Sequence, residues 1–396
     1  MINLEDVCEF IVDCPHSTAK DEGEGFPLIR TPNIGKGRLL LDGVHRVSED
    51  VYNKRNARAV PQDDDLIFAR EAPAGNVAIV KNGEKVCLGQ RTVLLRPNKE
   101  LVNPNFLTYF LLAPEQQYGL LGTANGATVS HVNIPTIRGL KINLPPLQVQ
   151  SRIAEIISSY DDLIENNQKQ IKLLEEAAQR LYKEWFVDLR FPGHENTKIV
   201  DGIPEGWEVC KFSEIASIMS GGTPKTEVKE YYEGDIPFYT PKDSDGSFFV
   251  FDTITHISEA GLEHCNSQYY PEGTVIITAR GTVGKTTILA VPMAMNQSCY
   301  ALKCDELNSP YYLFFSLNKE VDSLKTMANG GVFNTIIVKT FDSISLTIPT
   351  QKVLSAFNAV VSSIMQQIKA KMKQNIHLAE ARDRLLPKLM SGEIEV

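Results

Sequence analysis

The most prominent chemical pattern in the chain is Ala279-Arg-Gly-Thr-Val-Gly-Lys-Thr286, one residue short of the phosphate-binding loop G-x-x-x-x-G-K-[ST]. Ala279 stands where the first glycine belongs. A true phosphate loop opens a helix whose N-terminal amides hold the phosphates, but residues 286–291 read as a β-strand and Pro292 follows at once. We therefore predict a strand-turn-strand element here, and a P-loop-like nucleotide-binding enzyme is kept as an alternative.

A second group that could do chemistry is the acidic run Asp63-Asp64-Asp65, whose carboxylates could ligate a metal ion. The matching stretch later in the chain, residues 271–273, is Pro-Glu-Gly and reads as a turn, so we interpret the acidic run as a solvated turn. The seven histidines show neither H-x-x-x-H nor H-E-x-x-H spacing. We therefore expect no catalytic residue, no metal site and no cofactor in this chain.

Polar side chains in predicted turns, most of them basic, amide or hydroxyl, are better suited to binding than to catalysis. Arg and Asn can form bidentate hydrogen bonds with the edges of guanine and adenine, although any one such residue could be an ordinary surface residue. As a group they are candidates for DNA contact: Arg30, Asn33, Lys36, Arg38, Arg70, Arg91, Thr128, Ser130, His131, Asn133, Thr223, Lys225, Lys242, Asp245, Arg280, Lys285, Gln297, Asn334 and Lys339.

These candidates are distributed over two copies of one sequence pattern. Short motifs recur at an offset of 204 residues: Ala-Asn-Gly at 124–126 and 328–330, an apolar residue with proline at 144–145 and 348–349, and Arg-Leu at 180–181 and 384–385. Upstream, Ala-Arg at 69–70 is matched at 279–280, an offset of 210. The chain therefore reads as two tandem copies, each a variable block followed by a helix.

The comparison of the two copies divides the candidates into two classes. Arg70 and Arg280 are matched in this alignment, so they cannot distinguish two different half-sites and suit scaffold or phosphate contacts. Residues 127–133 and 331–337 differ between the copies and are better candidates for reading bases, since phosphate contacts position a protein and base contacts specify the sequence.

The two variable blocks share the features of mixed domains. Short β-branched runs at 78–80, 275–278 and 344–347 alternate with Gly, Pro, Asn and Asp turns and predict strands, while 105–112 and 310–317 have the apolar spacing of short helices. The predicted fold class is α+β, with two tandem domains of short strands and helices at residues 1–147 and 191–350.

Each block is followed by a segment with helical periodicity, within residues 148–190 and 351–396. Apolar residues of the first segment recur at alternating steps of four and three with one polar member, Asn167, which is typical of a heptad seam whose polar residue fixes register. Pro387 is expected to stop the second helix. We expect the helices to pair as a spacer, through Ile153, Ile157, Tyr160, Ile164, Asn167, Ile171, Leu174, Leu181 and Trp185 in the first and Phe357, Val361, Ile364, Ile368 and Leu385 in the second.

Composition and charge limit the classes of protein that remain. The 396 residues are 43% hydrophobic and 22% charged, ordinary values for globular domains. No basic leader or uncharged run of membrane-spanning length is visible, and seven cysteines without a C-x-x-C pair indicate reduced thiols, so we expect a cytoplasmic protein. The net charge of −9, which equals the charge of residues 191–350 alone, argues against non-specific coating of nucleic acid.

Three stretches, together with the two-copy layout, resemble the specificity subunit of type I restriction-modification enzymes. They are the aromatic stretch Leu181-Tyr-Lys-Glu-Trp-Phe-Val-Asp-Leu-Arg-Phe-Pro192, the motif Pro204-Glu-Gly-Trp207, and the tail Leu385-Leu-Pro-Lys-Leu-Met-Ser-Gly-Glu-Ile394. The resemblance covers essentially the whole chain.

The resemblance implies a fold, a function and partners. Each variable block would be a target-recognition domain that reads one half of a bipartite site in double-stranded DNA, and the two helices would form an antiparallel coiled coil that fixes the gap. The subunit would do no chemistry itself. Two methylation subunits carrying S-adenosylmethionine would dock along the helices, and ATP- and Mg-dependent restriction subunits, which translocate DNA, would join them.

The two copies also differ in ways that bear on assembly. The first copy starts at Leu4 without a Pro-x-Gly-Trp motif, and Leu386, Leu389 and Met390 stand where the first helix has aromatic residues. We therefore expect the C-terminal tail to pack back against the first copy. A coiled-coil scaffold without a DNA role is the second alternative, although two large variable blocks have no purpose in it.

Overall fold

The computed structural model describes residues 1–396 except residues 82, 123–130, 305, 306, 308 and 328–334. The chain forms two compact units. The first unit comprises residues 1–165 and 376–396, and the second comprises residues 166–375. Among the helices of the described residues, none has the length and apolar character that crossing a membrane requires.

The first unit is built on a five-stranded sheet. In spatial order its strands are Cys8–Asp13, Thr92–Pro97, Leu66–Ala69, Val77–Ile79 and Gly37–Arg38. A three-stranded sheet follows the order Arg46–Val47, Phe26–Ile29 and Cys87–Leu88, and a strand pair joins Ile2–Asn3 to Lys141–Ile142.

The alternation of side chains in Leu66–Ala69 explains why this strand is buried on both faces. Leu66 and Phe68 lie in one core cluster with Phe106 of a short helix, and Ile67 and Ala69 lie in another cluster with residues of the three-stranded sheet. Successive side chains of a strand point to opposite faces, so an all-apolar strand requires a layer on each side. The unit therefore has a helix, a large sheet and a small sheet as its layers.

The second unit repeats this architecture. Its five-stranded sheet has the order Ser217–Ser220, Cys299–Lys303, Val275–Thr278, Thr286–Leu289 and Phe249–Val250, and its three-stranded sheet the order His256–Ile257, Ile236–Tyr239 and Ala294–Met295. Strand pairs join Glu208–Lys211 to Ser345–Ile348 and Ile199–Val200 to Ile203–Pro204. The predicted fold class, two tandem α+β domains, is confirmed.

Short helices complete both units. In the first they are Glu49–Arg55, Pro104–Leu112, Pro114–Leu121 and Ile134–Arg138, and in the second Phe212–Ile215, Glu259–Glu263, Pro310–Met327 and Val338–Asp342. Single 3-10 turns occupy Leu4–Val7, Thr31–Asn33, His194–Asn196, Lys229–Tyr232 and Pro241–Asp243.

Two long helices follow the strand-rich parts. The first long helix is Leu147–Tyr182, which continues into the π-helical turn Lys183–Val187, and the second long helix is Gln351–Ser391. All predicted seam residues of the first long helix are buried or half-buried, while most positions between them are exposed. The seam therefore faces protein along the whole helix.

Within the second unit, the two long helices contact each other in antiparallel sense. Asn167 is buried, and its Nδ2 donates to Oδ1 of Asn375 (2.9 Å) and Oε1 of Gln374 (3.0 Å). Farther along, the rings of Tyr182 and Trp185 lie 6.4 and 6.0 Å from that of Phe357. Residue numbers rise along one helix as they fall along the other, so the helices run in opposite directions.

The end of the second long helix belongs to the core of the first unit. Leu386 and Leu389 are buried in the same cluster as Leu4, Phe106 and Ile153, and Met390 packs against it. This is the location that the differences between the two copies led us to expect for the tail.

Pro387 does not stop the second long helix, contrary to our expectation. The helix continues to Ser391 with the proline inside it. Proline removes one hydrogen bond to the carbonyl four residues earlier, but Leu386 and Leu389 on either side of it are buried. Tertiary packing of these two side chains holds the last helical turn in place.

The aromatic residues at the end of the first long helix pack within the second unit. The ring of Phe186 lies 4.9 Å from the rings of both Tyr312 and Phe357, and the hydroxyl group of Tyr182 donates to Oγ of Ser316 (3.0 Å). These side chains therefore join the helix to its neighbouring domain in this chain.

Candidate nucleic-acid interface

Polar side chains of the first unit collect at one end of the five-stranded sheet. Because neighbouring strands there are antiparallel, the strand ending at Asp13, the strand ending at Ala69 and the strand beginning at Thr92 all meet at this end. The residues just beyond these strands are Arg70, Glu71 and Arg91, and His131 joins them from a later loop. We call Asp13, Arg70, Glu71, Arg91 and His131 the first polar cluster.

Arg70 is the centre of this cluster. Its guanidinium donates to Oδ1 of Asp13 (3.1 Å), to the carbonyl oxygen of Val132 (3.1 Å) and to Nε2 of His131 (2.9 Å). The backbone amide of Val132 in turn donates to the carbonyl of Arg70 (3.0 Å). Since the Arg70 side chain is only 12% exposed, its main role is to hold the loop that carries His131.

Glu71 connects the two exposed members of the cluster. Its carboxylate lies 2.9 Å from Nε of Arg91 and 2.6 Å from Nδ1 of His131. A guanidinium can only donate, so Nε2 of His131 accepts from Arg70, and Nδ1 is the protonated nitrogen that donates to Glu71. The side chains of Arg91 and His131 are 59% and 38% exposed, so they form the accessible surface of the cluster.

The second unit has the same backbone arrangement with different side chains. The amide of Arg70 donates to the carbonyl of Arg91, and the amide of Ala279 donates to that of Ser298 in the same way. The amide of Val132 donates to the carbonyl of Arg70, and the amide of Ile336 donates to the carbonyl of Ala279 in the same way. Three positions of the cluster therefore correspond by hydrogen bonding: Arg70 with Ala279, Arg91 with Ser298, and His131 with Thr335.

This register corrects our alignment of Arg70 with Arg280. In the first unit the amide of Ala69 donates to the carbonyl of Asn76, and the amide of Gly75 donates to the carbonyl of Ala69. In the second unit the amide of Thr278 donates to the carbonyl of Lys285, and the amide of Gly284 donates to the carbonyl of Thr278. The offset is thus 209 here, not 210, and Arg280 corresponds to Glu71. Arg280 is exposed, whereas Arg70 is largely internal, so the two arginines do not share one role.

The turn that resembled a phosphate loop connects two strands, as predicted. Residues Thr286–Leu289 form a buried strand immediately after Lys285, so no helix N-terminus is present to hold phosphates. Gly284 has a φ of +75° and Gly75, its counterpart, +91°. The left-handed conformation favours glycine at both turns, and a Cβ on Gly75 would collide with the side-chain amide of Gln117.

The described candidate residues of the second unit are exposed, and nearby Thr240 and Asp243 are half-buried. Oγ1 of Thr223 donates to Oε1 of Gln297, and the amide and hydroxyl of Thr240 both donate to Asp243 (2.8 Å). The remaining candidates of this unit in the described residues are all exposed: Lys225, Lys242, Asp245, Arg280, Lys285 and Lys339.

Two candidates of the first unit are engaged inside the protein instead. Asn33 is buried, with Oδ1 accepting from the amide of Arg30 (3.2 Å) and Nδ2 donating to the carbonyl of Leu40 (3.3 Å). Arg38 pairs with both Asp162 and Glu165 of the first long helix. Both side chains are therefore committed to the fold, and we correct our assignment of them to a DNA-contact surface.

The other candidates of the first unit are accessible or lie outside the described part. Lys36 and Asn133 are exposed, and Arg30 is half-buried. Thr128, Ser130 and Asn334 lie outside the described residues, as do most of the stretches 127–133 and 331–337.

Sequence reasoning missed Asp13 and Glu71 of the cluster and also the buried Arg55, whose guanidinium donates to the carbonyl oxygen of Leu88 (2.6 Å). Glu71 follows Arg70 directly, so correct alignment of the two copies would have drawn attention to it. Asp13 and Arg55 gave no local signal, because their partners are distant along the chain. The acidic run also differs from expectation at one position, since Asp65 is buried and pairs with Arg96 (2.7 Å) rather than lying in solvent.

Two thiols of the first unit, the half-buried Cys8 and the buried Cys87, are unsuited to nucleophilic chemistry. Burial raises the pKa of Cys8 to about 12 and that of Cys87 to about 11, because a low-polarity environment disfavours the thiolate. Both therefore remain protonated at neutral pH. Within the described residues, no group of three or more His, Cys, Asp or Glu side chains could hold a metal ion.

Comparisons with known proteins agree with this architecture. The family model "Type I restriction modification DNA specificity domain" matches residues 1–176 and 204–375, one match in each copy of the repeat. The MjaIX specificity subunit of Methanocaldococcus jannaschii is 29% identical over 368 residues, which cover 89% of this chain and 83% of that protein. The HindI specificity subunit of Haemophilus influenzae is 25% identical over 404 residues, covering 85% and 88%.

A solved structure shows the same fold. The crystal structure of the type I restriction-modification S subunit from M. genitalium aligns with a TM-score of 0.57 at 17% identity, over 96% of this chain and 93% of that one. Because the family model spans most of the sequence in two separate matches, the chain belongs to the type I restriction modification DNA specificity family.

Proposed function

We propose that this chain is the DNA-recognition subunit of a type I restriction-modification complex, and that each unit reads one half of a bipartite site in double-stranded DNA. One observation carries the proposal. The two units share a backbone framework at the equivalent ends of their five-stranded sheets but present different side chains there. Arg91 and His131 are exposed in the first unit, where the second unit has Ser298 and Thr335. A common framework with different chemistry suits two readers of different sequences.

The recognition domains in this proposal are residues 1–147 and 191–350, and the long helices act as the spacer between the half-sites. Antiparallel contact between the helices within the second unit supports the spacer role, because paired helices are stiffer than a single one. The helices would also provide the docking surface for two methylation subunits, with restriction subunits joining the complex.

The chain has no catalytic role in this proposal. S-adenosylmethionine would be held by the methylation subunits, and ATP and Mg by the restriction subunits. Protonated thiols and the strand that replaces a phosphate-loop helix support a binding role over an enzymatic one.

Methylome sequencing tests the proposal directly. The chain is co-expressed with its cognate methylation subunit in a host without other adenine methylation, and modified bases in the host DNA are mapped. The expected result is one motif with two specified parts separated by a gap of unspecified bases. Expression of the methylation subunit alone is the control and should leave the DNA unmodified.

Two other results would count against the proposal. Methylation without sequence preference would show that the chain does not specify the site. A stable complex that leaves the DNA unmodified, although the methylation subunit binds S-adenosylmethionine, would favour a scaffold role.

A further inference from the structure

A small pocket lies beside the first polar cluster and shares Arg91 with it. The cavity has a volume of about 220 Å³ and is lined by three arginines, Arg30, Arg55 and Arg91, together with Gln90 and Thr31. No aspartate or glutamate is among its lining residues in the described part of the chain. Its polar lining thus consists of guanidinium, amide and hydroxyl groups, which are the donors that bind anions.

Arg55 gives this pocket a buried positive charge. Its residue is 6% exposed, and its guanidinium donates to the carbonyl oxygens of Leu88 (2.6 Å), Ser17 (3.0 Å) and Pro15 (3.4 Å). These carbonyls satisfy N–H groups without neutralising the charge, and no described carboxylate pairs with Arg55. A buried charge is unfavourable unless an opposite charge approaches it, and burial lowers the pKa of Arg55 accordingly.

Arg30 adds an unused donor to the same pocket. Its Nε is buried and has no hydrogen-bond partner among the described residues. A buried donor without a partner is unfavourable, so a ligand that accepts from Arg30 would remove this penalty. Arg91, whose side chain is 59% exposed, is the accessible guanidinium at the cavity, and its Nε pairs with Glu71 (2.9 Å).

The second unit has none of these three arginines. Backbone hydrogen bonding places Thr240 at the position of Arg30 and Ser298 at that of Arg91. The helices Glu49–Arg55 and Glu259–Glu263 start after matching serines, Ser48 and Ser258, which places Cys265 at the position of Arg55. The second unit also carries more negative charge: the net charge is −1 for residues 1–147 and −9 for residues 191–350.

We infer that this pocket binds one phosphate group of the DNA backbone, and that the first unit therefore supplies more of the sequence-independent affinity than the second. The inference rests on the proposed function, since the phosphodiester is assigned to the DNA that the neighbouring polar cluster contacts. Free inorganic phosphate has the same chemistry, and the test below distinguishes the two sources.

The test compares two double variants in the complex of the full chain with its methylation subunits. R30Q with R91Q removes two charges of the pocket but leaves Arg55, whose bonds support the fold. K85Q with K99Q is the matched control, because both lysines are exposed and lie away from the pocket. Lys85 precedes the strand Cys87–Leu88, and Lys99 follows the strand Thr92–Pro97, whereas Gln90 and Arg91 lie between these two strands. Melting temperatures verify that all variants are folded.

Binding is measured by fluorescence anisotropy over a series of salt concentrations, on a duplex with the methylated motif and on a scrambled duplex. Each phosphate contact contributes about 0.9 to the slope of log affinity against log salt. R30Q/R91Q should flatten the slope by about 1 on both duplexes. Any further loss of affinity on the motif duplex alone reflects the position of Arg91 in the first polar cluster. K85Q/K99Q should match the wild-type slope.

Duplexes with one neutral methylphosphonate locate the contact and its source. The wild-type complex should lose affinity at one phosphate near the half-site read by the first unit, and R30Q/R91Q should show no further loss there. Inorganic phosphate should compete no better than chloride at equal ionic strength. Strong competition by inorganic phosphate, with no sensitive position in the DNA, would overturn the assignment to DNA.

The remaining outcomes separate this inference from the proposed function. If the wild-type complex prefers its motif but R30Q/R91Q has an unchanged slope, the phosphate site is wrong and the recognition role stands. If the wild-type complex does not distinguish the motif from the scrambled duplex, both are wrong. If R30Q/R91Q loses its methylation subunits instead of DNA affinity, the pocket binds an acidic protein surface and the inference fails.

Discussion

At the scale of single residues, the structure separates side chains that build the recognition surface from side chains that support it. Arg70 and Arg38 have the chemistry of DNA-binding residues but are held by carboxylates of this chain. Arg91 and His131 are exposed and are held in place through Glu71. Residue type alone cannot make this distinction, because the partners are distant in sequence.

Replacement of Arg70 by alanine should destabilise the first unit. The change leaves Asp13 and the carbonyl of Val132 without their donor, and both lie near a loop whose position depends on Arg70. We expect a loss of about 1–3 kcal/mol in the free energy of unfolding, measured by chemical denaturation. R280A is the control, since Arg280 is exposed, and should change stability by less than about 0.5 kcal/mol. Equal losses in both variants would contradict these different roles.

At the scale of secondary structure, the long helices are joined to the units by specific polar and apolar contacts. In the first unit Asp161 is buried and accepts from the hydroxyl group of Tyr109 (2.7 Å) and from Arg382 of the second long helix (2.5 Å). This carboxylate therefore connects a domain helix and both long helices.

The variant D161N should be destabilised because it leaves Arg382 and Tyr109 with a weaker acceptor. Breaking a buried ion pair by changing one partner costs about 3–5 kcal/mol, and we expect a decrease toward the lower end because Arg382 retains its pair with Asp383. D162N is the neighbouring comparison: the side chain of Asp162 is 66% exposed and Arg38 keeps its pair with Glu165, so this change should cost about 1 kcal/mol or less. A D161N protein as stable as D162N would show that this contact is unimportant.

The tail of the second long helix should be required for the stability of the first unit. L389A removes a buried side chain from its core, which typically costs about 2–5 kcal/mol. I394A, at a residue that is 38% exposed, is the control. Deletion of residues 385–396 should be more damaging than L389A. Unchanged melting and assembly after the deletion would contradict the role of the tail.

The sequence predicted the repeated architecture better than it predicted the details within it. Matching motifs and β-branched runs identified the two copies and several strands, because core strands and turns have strong local signals. The alignment of Arg70 with Arg280 was wrong because it followed an Ala-Arg pair that recurs at an offset of 210, whereas the strands correspond at an offset of 209. The helical position of Pro387 and the pocket with Arg55 depend on tertiary packing and left no signal in the local sequence.

At the scale of the whole molecule, the proposal predicts that the length of the long helices determines the gap in the DNA site. Insertion of one heptad after Asn166 and another after Asn375 keeps Asn167 opposite Gln374 and Asn375 in the antiparallel helices. Seven residues add about 10 Å of helix, so the gap should lengthen by about three base pairs. Insertion in one helix alone should impair assembly. A methylated motif with an unchanged gap would contradict the spacer role.

The central claim is that each unit reads one half of the DNA site, and exchange of one recognition domain tests it most directly. Residues 1–147 are replaced by the corresponding block of a relative whose motif is known, the chain is co-expressed with the methylation subunit, and methylated bases are mapped. The account predicts that one half of the motif changes to that of the relative while the other half and the gap stay the same. Exchange of residues 191–350 should change only the other half. A motif that changes in both halves, or in neither, would contradict the claim.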